Sequence, residues 1–221
     1  MSSLPTATGL ALGAAADLLL ADPRRGHPVA GFGSAAAALE RRTWRDSRAA
    51  GTVHVAVCVG TAAALGAAAH RLTAGSSAAR TAGTALATWS VLGGTSLGRA
   101  ATTMERHLAA GDLPAARAAL SSLAGRDPSG LGEDELVRAT VESVAENTSD
   151  AAVAPLLWGA VAGLPGLLAY RAVNTLDAMV GYRSPRYARF GWAAARLDDV
   201  LNWVPARLTA CLLYTSPSPR D

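Results

Sequence analysis

The chain has 221 residues and a formal net charge of +3; half of it is apolar, 17% is charged and 5% is aromatic, and the mean hydropathy is +0.22. Soluble domains carry about a quarter charged residues, so the composition leans towards a bilayer. The basic residues are all Arg, with no run interleaved with aromatics, which argues against a nucleic-acid partner; the two Cys (58, 211) and four His (27, 54, 70, 107) lack disulfide-framework or zinc-site spacing.

Residues 4–21 are apolar and hold one acid, Asp17, with no basic segment before them to make a cleaved signal. Residues 51–69 are uncharged, as are residues 81–97 with Trp89 and residues 151–169 with Pro155, Gly163, Pro165 and Gly166. Each is near the length that crosses the hydrocarbon core. A soluble bundle with Ala-rich buried helices is the alternative.

The segment 22–50 carries Arg24, Arg25, Arg41, Arg42, Arg45 and Arg48, against Arg71 and Arg80 in the next short connection. The positive-inside rule makes the first connection cytoplasmic. Residues 98–150 are then cytoplasmic too. A full crossing by residues 151–169 would put the Arg-rich segment 171–207 outside, against the same rule. The Gly163-Leu-Pro-Gly166 break predicts a way out, a re-entrant or broken helix that leaves both polar segments on one side.

Residues 97–108 read as a helix reaching Gly111, with Asp112 as the next N-cap and Pro114 in the first turn. Leu113, Ala116, Leu120 and Leu123 follow at helical spacing, which gives a helical hairpin with a packing role. No segment alternates with period two. The expected fold is therefore all-α: a polytopic membrane protein of about four or five membrane-embedded helices with a cytoplasmic helical hairpin.

Two polar stretches hold the candidate chemistry. In residues 133–147, Arg138, Glu142 and Glu146 are spaced at four and share a helix face, and Asp150 continues the stripe if the helix runs on. Carboxylates beside Asn147 and Thr148 suit Mg²⁺ and, through it, phosphate oxygens. An exposed Arg–Glu ladder fits the same stripe, and taken alone the stripe favours it. The second stretch, 174–207, holds Asn174, Asp177, Arg183, Arg196, Asp198, Asp199, Asn202 and Arg207. Pro185 is expected to open a helix through Trp203, with Arg196 and Asp199 paired at spacing three and Asp198 and Asn202 on one edge at spacing four. Acids, amides and Arg this close to apolar spans mark a functional site by default. Acids on Mg²⁺ and Arg on phosphate or carboxylate is the natural division of labour. No Walker loop, dinucleotide fingerprint or nucleophile elbow is present.

The order of motifs resembles the CobD/CbiB family, adenosylcobinamide-phosphate synthases of cobalamin biosynthesis. The matching segments are DPRRGHPV (22–29) with Leu39-Glu40-Arg41, and GRD (125–127). ESVAENTSD (142–150) follows, with Ala154-Pro155, then YRAVNTLDAMVGY (170–182) and FGWAAARLDDVLNWVPAR (190–207). Departures from the family pattern are Pro128 for Thr, Ala178 for Ser and Ala151 for Gly. The resemblance covers a single membrane-embedded domain, residues 1–210. Residues 211–221, ending in LLYTSPSPRD, are expected to be a non-native tail on a C-terminally truncated chain.

The resemblance implies an ATP-dependent ligase in the cell membrane, multi-pass, with its active face cytoplasmic. It would join a carboxylate of the corrinoid adenosylcobyric acid to aminopropanol, ethanolamine or their phosphates. ATP and Mg²⁺ are the implied cofactors, and an activated acyl group the implied intermediate. The implied catalytic set is Glu142, Glu146, Asp150, Asp177, Asp198 and Asp199, with Glu146, Asp150 and Asp198 as Mg²⁺ ligands. Arg126, Arg183, Arg196 and Arg207 would bind phosphate or carboxylate; Asn147, Asn174 and Asn202 would orient substrate; Asp22 and His27 would support the same face. For each, a helix cap or buried polar tie is the competing role. Membrane lipid surrounds the enzyme, nucleic acid is not a partner, and other membrane-bound cobalamin enzymes are candidate neighbours. Two rival functions are a CDP-alcohol-type phosphotransferase and a corrinoid transporter. The four-residue Asp spacing of the first and the internal repeat of the second are missing.

Overall fold

The computed structural model describes residues 4–21, 27–121, 123 and 128–215; Asp22 and Arg126 lie outside them. The described residues are helical and hold no strand. The helices are α1 (Leu4–Leu20), α2 (Pro28–Thr43), α3 (Arg48–Leu72), α4 (Ser77–Val91), α5 (Gly94–Ala109), α6 (Leu113–Leu120) and α7 (Glu133–Thr148). A π-helical turn, Ser149–Val153, joins α7 to α8 (Ala154–Val180), and α9 (Trp192–Thr215) ends the described chain.

Local chemistry accounts for many of the boundaries. His27 caps α2 by accepting from the Val29 N–H, Ser76 caps α4 and Asp112 caps α6 as its position predicts. α1 and α4 run parallel in close contact. A Cβ at Gly9 or Gly13 would collide with Thr84 or Thr88, so the Gly9–Gly13 pair sits on a Thr84–Thr88 pair. Small residues spaced at four let two backbones approach where apolar solvent supplies no hydrophobic drive.

The predicted apolar segment 81–97 is not one helix. It ends at Val91, and α5 starts at Gly94. The buried Asp17 carboxylate accepts from the Thr95 N–H at 3.1 Å, and the Thr95 hydroxyl donates to the Asp17 carbonyl at 2.7 Å. An acid in α1 therefore caps α5 from across the fold.

Residues 151–169 fold back as the Gly-Pro break predicts. Gly163 takes φ 64°, ψ −152° inside α8, a left-handed φ that glycine adopts without a Cβ penalty. A Cβ at Gly166 would meet the Trp158 carbonyl, and one at Gly159 would meet Leu167. Such contacts cannot form along one straight rod. The hairpin tip sits on α3, where Gly66 has no room for a side chain against Leu164 and Pro165.

Two helical runs are long and apolar enough to cross a membrane, Arg48–Leu72 and Glu133–Val180, and only 28% of the most apolar window of each is buried in the protein. An apolar helix in water hides such a surface. Here Val53, Val57 and Leu65 of α3, Leu12 of α1 and Leu86 of α4 face outward. The second run is folded at Gly163. Its arm from position 150 to the tip is about 20 Å long at 1.5 Å per residue, short of the roughly 30 Å core.

The turn places the Arg-rich segments at one end, the mouth of the hairpin. α2, the start of α3, α5–α7, residues 181–191 and the start of α9 all lie there. Met104, Ala116, Leu120, Leu136 and Ala139 form the core of α5–α7, so the predicted helical hairpin is completed by α7. The helix expected from Pro185 starts instead at Trp192 and runs past Pro205 to Thr215. Residues 184–191 are single turns, in which Ser184 O accepts from Tyr187 N and Ala188 N.

Candidate functional site

Two prolines set the helices around the mouth, and a third sits at the hairpin tip. Pro155 lacks the N–H that would bond the Ala151 carbonyl, and Ala151 O instead accepts from Gly93 N at 3.2 Å. The backbone passes this point as a π turn, with the Ala154 N–H donating to Ser149 O. Pro205 in the same way frees Leu201 O, which takes the Trp158 indole N–H at 3.1 Å. Pro165 follows the Gly163 fold-back. The first two fix the depth of α5 and α9 against the hairpin.

The two arms then present one polar network. Asn174 Nδ2 donates to Asp150 Oδ2 at 3.2 Å. In a straight helix these residues would stand about 36 Å apart. Tyr170, fully buried, donates to Asn202 Oδ1 at 2.8 Å, and Asn202 Nδ2 donates to Asp198 Oδ2 at 3.0 Å. Among the described residues, Asp198 Oδ1 and the buried Ser149 Oγ have no hydrogen-bond partner. The charges of Glu146, Asp150, Asp177 and Asp198 act on one another across the mouth. Burial raises the Asp198 carboxyl above the ordinary carboxylate range; the Asn202 and Asn174 amides pull it back, and the Asp199 and Glu146 charges push it further up.

Two clefts open here and share Asp150. The first, about 550 Å³, is lined by Glu146, Ser149, Asp150, Asp198, Asp199, Asn202, Trp203 and Arg207. The Arg207 guanidinium lies 4.0 Å from the Trp203 ring centroid and donates to Trp203 O at 2.6 Å. A small side recess holds Arg183 and Arg196 against Asp199, and Arg196 pairs with Asp199 at 3.4 Å as the spacing predicts. The second cleft, about 460 Å³, holds Asn147, Asp150, Arg171 and Asn174.

Nearly every described candidate residue meets at this mouth. Asp177 lies beside the recess, its carboxylate against Gly181 where any Cβ would stand. Glu142 is set apart: it pairs with Arg138 at 3.4 Å on an exposed face, so the ladder reading holds for that half of the stripe. The π turn divides the stripe and carries Asp150 inward. Asn147 Nδ2 donates to Ser143 O at 2.8 Å, so it also ties its own helix. Among the described residues no three His, Cys, Asp or Glu converge as ready-made metal ligands.

Sequence reasoning did not single out Tyr170, Ser149 or Arg171 as site residues. It also missed a second buried carboxylate. Glu40 Oε1 accepts from Arg186 at 3.0 Å and from the Tyr187 hydroxyl at 3.0 Å. Arg186 also stacks on Trp44, 4.7 Å from its centroid. This cluster pins residues 184–191, and so the start of α9, to α2. The signal available was Glu40 within an apolar-faced helix.

A family description, CobD/Cbib protein, matches residues 10–218. The chain belongs to this family. It is similar to the cobalamin biosynthesis protein CobD of Mycobacterium tuberculosis (strain ATCC 25618 / H37Rv), 57% identical over 94% of this chain and 66% of that protein. The protein of the same name from Geobacter metallireducens is 46% identical over 92% of this chain and 65% of its own length. The Rhodobacter capsulatus CobD matches 52% of the chain at 57% identity and 36% of its own length. The chain thus spans just under two thirds of these full-covering relatives. No solved structure matches it.

Proposed function

We propose that this chain forms most of a cobalamin-biosynthesis enzyme of the cell membrane, a ligase. It joins adenosylcobyric acid through an amide bond to aminopropanol, ethanolamine or their phosphates, using ATP. One observation carries the reading: the Gly163 turn brings two family signature stretches, 142–150 and 170–182, together at a carboxylate-rich mouth that α9 completes.

The mouth fits Mg²⁺ and a phosphate-bearing substrate. Glu146, Asp150, Asp177 and Asp198 concentrate interacting negative charge at the mouth. Among the described residues Asp198 Oδ1 and Ser149 Oγ have no hydrogen-bond partner. Mg²⁺ keeps several waters and binds through one or two carboxylates plus substrate phosphates, so it does not need a three-ligand cage. Asp198, Asp150 and Glu146 are the ligands of choice. When bound, the ion would neutralise charge on phosphate oxygens. Arg183, Arg196 and Arg207 would hold phosphate or carboxylate oxygens and offset charge that develops on them. Asn202, fixed by Tyr170, orients Asp198, and Asn174 orients Asp150. Asp177 and Asp199 would add to the field that draws a cation or an amine. The balance of the reaction is ordinary: the amine forms the new C–N bond, the activated acyl carbon loses its oxygen leaving group, and the ammonium proton passes to a mouth carboxylate or water.

A multi-pass placement with the mouth on the cytoplasmic side accounts for the outward apolar faces of α1, α3 and α4. It also accounts for the gathering of Arg at one end. The test uses membranes that contain the full-length protein, supplied with adenosylcobyric acid, ATP and aminopropanol phosphate. Mass spectrometry should find adenosylcobinamide phosphate, dependent on ATP and abolished by a Mg²⁺ chelator. Substrate returned unchanged by active, folded membranes would overturn the assignment.

A further inference from the structure

A further cleft, about 610 Å³, opens at the other end of the molecule, where α1, α3, α4 and the hairpin tip come together. Leu10, Val161, Ala162 and Pro165 give it apolar walls, and Thr6, His70 and Arg80 supply its polar groups. Arg80 stands in the first turn of α4. Its Nη2 donates to Ala74 O at 3.1 Å, and its Nε is buried without a hydrogen-bond partner among the described residues. A guanidinium offers five donors in a fixed fork, and here Ala74 O is the acceptor the described residues give it. Its charge is unmatched as well. The cleft is lined from residues 1–16, 47–104 and 151–176, and these segments contain no Asp or Glu. At the mouth, by contrast, Arg186, Arg189 and Arg196 each pair with an acid.

The walls select what such a cation holds. Val161 on the tip is 69% exposed, and Leu12, Leu65 and Leu86 continue an outward apolar surface on α1, α3 and α4. A ligand that fits both features carries a negative head and an apolar body. We infer that this cleft binds an anionic phospholipid of the leaflet opposite the mouth, with the headgroup phosphate at Arg80 and His70 and an acyl chain along Leu10 and Val161. A guanidinium matches phosphate oxygens in a planar fork, and an imidazole has an N–H to donate in either tautomer. The phosphate of a zwitterionic lipid brings its own cation and gains less from Arg80, so the cleft discriminates by net headgroup charge. The inference rests on the membrane placement given above and is independent of the ligase chemistry.

The test uses full-length protein in nanodiscs of equal parts phosphatidylcholine and phosphatidylglycerol. A trace of one lipid or the other carries a diazirine on its acyl chain, and adducts are mapped by peptide mass spectrometry after irradiation. Adducts on the outward face of α3 at Val53 and Val57 serve as the reference. Relative to these, adducts at residues 159–165 should be about fivefold or more abundant from phosphatidylglycerol than from phosphatidylcholine. Arg80→Gln should bring the two lipids to parity. Arg80→Lys should keep part of the preference, which a merely misfolded variant would not do. Arg71→Gln should leave it unchanged, since Arg71 is exposed and outside the cleft. The inference is overturned if Arg80→Gln keeps the preference, or if Arg71→Gln abolishes it too, which would mean diffuse surface charge. It is also overturned if soluble glycerol 3-phosphate displaces the lipid adduct, since a free phosphate is then the occupant. Equal labelling of the tip by both lipids, with α3 labelled, would sink only this site. No adduct on α3 from either lipid would sink the membrane placement itself.

Discussion

Glu40 and Asp198 both lie in largely buried surroundings at the same end of the helices, and they handle charge in opposite ways. Glu40 accepts from Arg186 and Tyr187, and its cation stacks on Trp44. Asp198 accepts from the Asn202 amide with the Asn174 amide also beside it, keeps one buried oxygen without a partner among the described residues, and faces other acids. The first arrangement is closed and serves packing. Among the described residues no cation pairs with the second, and a positive partner would stabilise its ionised form. Charge left unbalanced, more than burial, separates a site from a tie.

Mutations at the two acids sharpen this contrast. Asp198→Asn should lower amide formation by about 10²-fold or more, while the thermal midpoint stays level or rises because repulsion among the acids falls. A large loss of stability would make Asp198 a packing residue like Glu40. Glu40→Ala should do the opposite. It removes a buried acceptor of two hydrogen bonds, one from a half-exposed Arg, at a cost of about 1–3 kcal/mol. The midpoint should drop by a few degrees, and the activity per folded molecule should change little. A selective loss of kcat would place Glu40 in the site.

Smaller effects test the proline-freed carbonyls between the two regions. Trp158→Phe leaves Leu201 O unpaired, since Pro205 has no N–H, at about 1 kcal/mol. Adding Pro205→Ala restores a backbone donor for that carbonyl. The double variant should therefore be less destabilised than the sum of the single ones, as a double-mutant cycle on unfolding would read. Smallest of all is Glu142→Gln. Its partner Arg138 is exposed, so stability should hold within about 0.5 kcal/mol and activity within about twofold. A Glu142→Gln variant with the loss expected of Asp198→Asn would return the whole stripe to the site.

The residues that could be read from sequence are those with local signals. Asp112 announces its cap, Arg196–Asp199 and Asp198–Asn202 follow from helical spacing, and α1 and α3 follow from apolar runs. Gly163 and Pro165 mark a break because only glycine enters that φ without strain. The rest depends on partners distant in sequence. The stop at Leu92–Gly93 is set with Asp17 in α1. The π turn needs Gly93 to take the Ala151 carbonyl, and the depth of α9 needs Trp158. Tyr170 reads as an ordinary buried aromatic until Asn202 is placed beside it. Glu142 and Asp150 look equivalent on a helical wheel, and the π turn between them is invisible there.

The fold-back at Gly163 underlies every statement about the site. Nitroxide labels at Asn147→Cys and Ala178→Cys, with Cys58 and Cys211 replaced, measure it directly by pulsed electron resonance in nanodiscs. Both positions line the second cleft, so the distance should fall below about 20 Å, against the roughly 46 Å that a continuous helix would give. A single distribution near the longer value would contradict the hairpin, and with it the meeting of the two polar stretches.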